Sequence, residues 1–325
     1  MAQPEPVPAV EPSPPADRLS QRVIAIVGPT ATGKSDLAIA VARALAAAGR
    51  PSEIINADSM QLYRGMDIGT AKLAEHERGG VAHHLLDIWP VTHTASVAEY
   101  QQRARAVIDA LLGVGTTPVL VGGSGLYVRA ALDRLEFPGT DAALRDELES
   151  RLEADGAPKL HSELAALDPA AAAAILPTNG RRIVRALEVI QLTGAPFTAA
   201  LPSFEAVYDV RLVGIDGPND WLDARVDARV DHMFATGLVE EVERLEPEGL
   251  RSGLTASRAL GYQQVLAHLD GLLTLDEART ETARATRRFV RRQRSWFRRD
   301  PRITWTHASS GTQAVLDVVP GLVVN

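Results

Sequence analysis

The chain has no cysteine among its 325 residues, which rules out a disulfide framework and any thiolate metal site and suits a reducing compartment. It also has no apolar run near the roughly 20 residues of a membrane span, and no basic start followed by an apolar stretch at its amino terminus. No membrane association is expected, and the cytoplasm is the expected location. An excess of positive charge is missing too: the net charge is -7, which argues against indiscriminate coating of nucleic acid. No internal repeat is visible at any period. What is present is 46% hydrophobic residues, enough to bury a large core in one large or two smaller domains. Residues 1–20 differ: rich in proline, alanine and acids, they cannot bury enough apolar surface to fold and read as a disordered tail.

The most informative stretch is Gly28-Pro29-Thr30-Ala31-Thr32-Gly33-Lys34-Ser35, a complete G-x-x-x-x-G-K-[ST] phosphate loop. Before it, Arg22–Val27 is short, β-branched and apolar, the pattern of a buried strand; after it, Asp36 to Gly49 has helical periodicity and ends at glycine. The glycines let successive N–H groups turn into one concavity, and the helix N-terminus adds partial positive charge, so an anion is expected there. Lys34 would reach a terminal phosphate group, and the Ser35 hydroxyl would ligate Mg²⁺.

Further strands are expected at Glu53–Ala57, ending at Asp58, and at Pro118–Val121 before Gly122-Gly123, with a helix over Ser96–Leu112 between them. Strand–helix–strand at this spacing predicts a parallel sheet with right-handed crossovers, its ligands bound at the carboxyl ends of the strands. The phosphate loop, Asp58 and the Gly122–Gly125 turn would then share one crevice. The fold class is α/β, a P-loop NTPase-like parallel sheet flanked by helices. An alanine-rich, all-helical insertion is expected over 133–204, dividing a core of 21–132 and 205–325. A strand at Val210–Ile215, helices over Trp221 to about Leu245, about Thr255 to Leu269 and about Asp276 to Arg298, and an edge strand at Ile303–Trp305 complete the reading.

Asp58 has two readings from position alone, a water-mediated Mg²⁺ partner or a base that takes a proton from a nucleophile, with position slightly favouring the metal. The mixed segment Ser59–Lys72 reads as a long loop over the crevice, where function concentrates. Between Arg284 and Arg302 lie nine arginines and a single acid, Asp300. Within them Arg287, Arg291, Arg294 and Arg298 recur at helical spacing as a stripe suited to phosphate backbone, with Phe289, Val290, Trp296 and Phe297 on an anchoring face. His83 and His84 have no metal-ligand spacing and read as structural.

Several segments in order carry a resemblance: GPTATGKS (28–35), NADSMQLYRGMDIGTAK (56–72), HLLDI (84–88), VLVGGSGLY (119–127), RRIVRALEV (181–189) and ATRRFVRRQRSW (285–296). Together they resemble the bacterial tRNA dimethylallyltransferase family from about Arg22 onward. The resemblance implies that the loop holds the pyrophosphate of dimethylallyl pyrophosphate, with Lys34, Mg²⁺ on Ser35, and Arg229 stabilising the leaving group. It implies that Asp58 takes a proton from the 6-amino group of adenosine 37 beside the anticodon. It further implies tRNA contacts by Asp58, Ser59, Met60 and Gln61, by Ser124 in place of the family's usual threonine, by Arg145, Arg181, Arg182 and Arg185 on the anticodon stem-loop, and by the arginine stripe. Arg229 by itself would read as a solvated helix arginine paired with Asp223 or Asp227. An adenylate isopentenyltransferase or a nucleotide-dependent switch are the competing functions; the insertion and arginine stripe argue against the first, the missing N-K-x-D against the second. The chain is expected to act as a monomer.

Overall fold

The computed structural model describes residues 22–197 and 203–318; the expected tail at 1–20 lies outside them. In chain order the first elements are β1 (Arg22–Val27), α1 (Lys34–Ala47), β2 (Ser52–Asn56), β3 (His83–His84), α2 (Val97–Gly113), β4 (Thr117–Gly122) and α3 (Gly125–Leu132). Then follow α4 (Ala142–Asp155), α5 (Ala157–Leu167), α6 (Pro169–Ala174), α7 (Gly180–Thr193), β5 (Asp209–Asp216), α8 (Asn219–Ala235) and α9 (Leu238–Leu245). The last are α10 (Tyr262–Leu269), α11 (Leu275–Phe297), β6 (Thr304–His307) and α12 (Gly311–Val318). The chain divides into two compact units, one running to Asp133 and resuming at Ala206, the other Arg134–Glu205.

The first unit is built on one parallel sheet in the order β3-β2-β4-β1-β5-β6. β1 lies at its centre, with Ile24 opposite both Val119 and Arg211. Its residues alternate between two cores: Val23, Ala25 and Val27 pack on the side that includes Tyr100 and Ile108 of α2, Ile24 and Ile26 on the side of Ala38, Val41 and Leu45 of α1. All five of these residues are fully buried, which is why this strand reads as a continuous apolar run rather than an alternating one. Truncating Ile24 or Ile26 to alanine would cost about 2–5 kcal/mol, since the close-packed neighbours cannot collapse into the hole.

The elements differ from the sequence reading in several places. The single helix expected from Trp221 to Leu245 is two, because Gly237 at φ 107° turns the chain between α8 and α9. The expected helix from Thr255 splits into a 3-10 turn at Ala256–Arg258 and α10, separated by Gly261 at φ 89°. His83 and His84 form one of the two edge strands, paired with Ile54 and Ile55, so two residues that no propensity marks as a strand acquire that state from a register set elsewhere.

Among the described residues the second unit is four helices around Leu148, Leu160, Leu164, Ile183 and Leu187, all fully buried. Its helix starts are written locally: the side chains of Asp141, Asp168 and Asn179 accept the N–H groups of Leu144, Ala171 and Arg182. Glu188 is buried in this core and receives both Arg145 and Arg185. Burial pushes its carboxyl up, and the bonds from the two arginines outweigh that and hold it below the usual range.

Candidate active site

The phosphate loop leaves β1 at Gly28, whose φ of 140° and lack of a side chain are both required: a Cβ there would stand 2.2 Å from the Ile215 carbonyl of β5. Gly33, at φ 84°, caps α1, so Lys34 and Ser35 open the helix with their N–H groups at its positive end. Thr32 and Lys34 both donate to the Pro29 carbonyl, at 2.9 and 2.6 Å, which closes the loop on itself. Desolvation of its ammonium, reinforced by the nearby Arg229 guanidinium and opposed by Asp58, lowers Lys34 to about 7.

Arg229 comes from α8 and spans the loop and its neighbour: Nη1 donates to Thr30 Oγ1 at 2.9 Å and Nη2 to the Thr70 carbonyl at 3.1 Å. Its pairing with Asp223 or Asp227 does not occur, because those carboxylates receive Arg291 and Arg287 instead. One turn earlier, Arg225 donates to the Ala31 carbonyl at 2.6 Å and lies over the Trp221 ring. Arg225 belongs to no motif, although the arginine repeat at four-residue spacing in α8 places it on the face of Arg229.

Asp58 stands just beyond β2, held by its neighbours. The buried Asn56 side chain accepts the Asp58 N–H and donates to both the Asp58 and Leu85 carbonyls, while one Asp58 carboxylate oxygen accepts the Met60 N–H at 2.9 Å. The Ser124 hydroxyl accepts the Ser59 N–H at 3.2 Å, tying the turn after β4 to the residue next to Asp58. Gln61 donates to the Thr70 carbonyl, so it braces the loop from within.

Residues 59–72 form an irregular segment with a specific anchor. The buried Glu241 carboxylate accepts the N–H groups of Asp67, Ile68 and Gly69 at 2.7–3.1 Å and the Tyr262 hydroxyl. Gly69 must be glycine, since a Cβ would reach within 2.4 Å of the Tyr262 ring.

Two cavities meet here. The first, about 80 Å³, is polar and includes Lys34, Ser35, Asn56 and Gln61 in its wall. The second, about 350 Å³, adds apolar walls from Met60, Val230, Met233, Leu260 and Phe289. Thr30, Asp58, Thr70 and Arg229 line both, so the carboxylate and the guanidinium stand where an anion site adjoins a larger, partly apolar one.

Residues 61–300 match the IPP transferase family. The chain belongs to that family. It is 65% identical over 284 residues to a tRNA dimethylallyltransferase of Streptomyces coelicolor, covering 87% of this chain and 89% of the relative, and 64% identical to one of Thermobifida fusca with the same coverage. The crystal structure of the full-length tRNA isopentenylpyrophosphate transferase of Bacillus halodurans shares 40% identity, with 89% and 90% of the two chains covered and a TM-score of 0.65. A eukaryotic dimethylallyltransferase described as acting on tRNA shares the fold at 24% identity and a TM-score of 0.73, over 89% of this chain and 74% of its own. The chain is thus a prenyltransferase of the tRNA-modifying kind.

For an IPP transferase the arginine-rich helix α11 is arranged unexpectedly. Arg287 pairs with Asp227, Arg291 with Asp223 through both nitrogens, and Arg294 and Arg298 converge on Asp216. The stripe seen in the sequence therefore faces acids of α8 and of the end of β5. Arg288, Arg292 and Arg299 lie off this stripe, exposed and without a carboxylate partner among the described residues. Arg292 stands over Phe289 and lines the larger cavity. Phe289 corrects a second expectation: it faces that cavity, while Val290 and Phe297 are buried as anchors. In the helical unit, Arg145 and Arg185 are spent on Glu188, Arg185 also capping the Pro138 and Gly139 carbonyls, while Arg181 is exposed and Arg182 lies at the start of α7. Arg258 and Gln263, unmarked by any motif in the sequence, line the larger cavity as well.

Proposed function

We propose that the chain moves the dimethylallyl group of dimethylallyl pyrophosphate onto the exocyclic 6-amino group of adenosine 37 in tRNA, releasing pyrophosphate. The observation that carries this reading is the junction at Asp58 and Arg229, one group suited to take a proton and the other to hold an anion. The carbon–oxygen bond of the donor breaks as the carbon–nitrogen bond forms. The negative charge that grows on the departing pyrophosphate is met by the loop N–H groups, Lys34 and Arg229, and the amine proton passes to the Asp58 carboxylate. The target base must leave its stack to enter the larger cavity, whose walls combine Phe289 and Met60 with hydroxyls of Ser124 and Thr286.

Among the described residues no three His, Asp or Glu side chains form a ready-made metal cage. That suits Mg²⁺ held in the way phosphate-bound magnesium usually is, by one or two protein oxygens with ligand and water oxygens completing the shell. Ser35, beside Lys34 in the polar cavity, would hold it. When bound, the ion would neutralise charge on the leaving group. The helical unit, with Arg181 exposed on α7, is assigned to the anticodon stem-loop, and the cytoplasm is where such a substrate is met.

The test is incubation of the purified protein with radiolabelled dimethylallyl pyrophosphate and either unmodified tRNA or AMP. Label transferred to tRNA at adenosine 37 is the expected result. Transfer to AMP alone would replace this reading with a free-nucleotide enzyme, and transfer to neither would end it.

A further inference from the structure

The buried amide of Gln293 joins the two halves of the site. It sits in the last two turns of α11 and is 5% exposed. Its Oε1 accepts the Thr30 N–H of the phosphate loop at 2.9 Å, and its Nε2 donates to the Gly123 carbonyl after β4, also at 2.9 Å. The fit is tight: a Cβ on Gly123 would stand 2.4 Å from Nε2. Three residues on, Trp296 lies against Gly125 of the same turn so closely that a Cβ there would come within 2.1 Å of the indole.

Each end of the amide continues to a reacting group. Thr30, held at its N–H, receives the Arg229 guanidinium on its hydroxyl. Gly123 precedes Ser124, whose hydroxyl holds the N–H of Ser59 beside Asp58. Only a side chain with one acceptor and one donor at its tip satisfies both loops. Glutamate would turn an acceptor toward the Gly123 carbonyl, and methionine would leave both backbone groups buried and unpaired.

We infer that Gln293 is a positioning residue that sets the separation between the anion cradle, through Thr30 and Arg229, and the base, through Gly123 and Ser124. The inference rests on the reaction proposed above. Displacement at carbon needs amine, carbon and leaving group near one line with the base beside the amine, and effective molarity falls steeply with errors of about 1 Å. Loosening the bridge therefore slows the chemical step by shifting the two halves relative to each other, while each half keeps its own substrate-binding groups.

The experiment compares Gln293→Met, Thr30→Ala and the double variant with wild type in single-turnover assays at saturating dimethylallyl pyrophosphate and tRNA. Kd values for both substrates and thermal melts are measured alongside. Gln293→Met is expected to lower the single-turnover rate by at least about tenfold, with each Kd within about threefold, because misplacement removes transition-state and not ground-state contacts. The loss should be smaller in the Thr30→Ala background, since one arm of the bridge then no longer reaches Arg229. A wild-type rate in a folded Gln293→Met variant overturns the assignment, as does a loss fully additive with Thr30→Ala. If Gln293→Met melts below the assay temperature, Gln293→Glu, which keeps size and the Thr30 contact, takes its place with the same criteria. Inactivity of the wild-type control would instead count against the reaction itself.

Discussion

Arg291 and Asp223 form a two-point ion pair between α11 and α8, Nη1 to Oδ1 at 2.7 Å and Nη2 to Oδ2 at 2.6 Å. Side-chain hydrogen bonds from Arg291 hold the Asp223 carboxyl below its ordinary value. An arginine so engaged must break a fitted contact before it meets a phosphate, so the best-spaced stripe on α11 is the less available one. The other side offers Arg288 and Arg292, with Arg292 at the cavity wall.

The two faces of α11 should accordingly behave differently toward tRNA. Each phosphate contact removed flattens the dependence of log affinity on log salt by about one unit. Arg288→Ala with Arg292→Ala is expected to flatten the slope, whereas Arg287→Ala with Arg291→Ala leaves it near wild type and costs at most about 1 kcal/mol per exposed pair in stability. Filter binding across a salt series decides, and the reverse pattern would return the docking role to the stripe.

Asp58→Asn should preserve binding of both substrates and remove turnover by about a hundredfold to ten-thousandfold, the usual scale of a general base. The substitution keeps shape and still accepts the Met60 N–H. Near-normal rates under saturating, single-turnover conditions would show that the proton goes elsewhere.

Lys34 gives a pH signature with a definite sign. Its free value of about 7 must rise when pyrophosphate arrives beside it. Below that pH the ammonium is already charged and binding takes up no proton. Above it, binding has to protonate the amine first, so affinity falls with rising pH by up to about one decade per unit. Ionisation of pyrophosphate itself is common to wild type and Lys34→Met, so the difference between their profiles isolates the lysine. Calorimetry between pH 6 and pH 9 tests this; parallel profiles would contradict it.

Glu241 anchors the segment over the site through three backbone N–H groups and Tyr262. Glu241→Gln turns an NH₂ toward donors, leaves at least one buried group unpaired, and should cost about 1–3 kcal/mol in denaturant melts. Because Thr70 in this segment receives Arg229, KM for dimethylallyl pyrophosphate should rise as well. Unchanged stability and KM would mean the segment is held by other contacts, Lys72 to Asp67 and Asp87 foremost.

Local chemistry is legible in the amino-acid sequence itself. The phosphate loop depends on glycines and a helix start within eight consecutive residues, and the burial of β1 on both faces follows from its own apolar run. Asp58 is placed the same way, just past the end of a strand, while its reading as the base comes only with the family resemblance. Helical periodicity likewise places Arg287, Arg291, Arg294 and Arg298 on one face, but periodicity says nothing of what that face meets. Only the fold, by setting α8 and the end of β5 beside α11, decided that the stripe meets Asp216, Asp223 and Asp227 and that Arg229 turns to Thr30 instead. Gln293 and Glu241 are silent in the sequence for the same reason. Their backbone partners lie 170 or more residues away, and an isolated amide or carboxylate acquires a role only when packing removes water and leaves a specific set of backbone groups to satisfy.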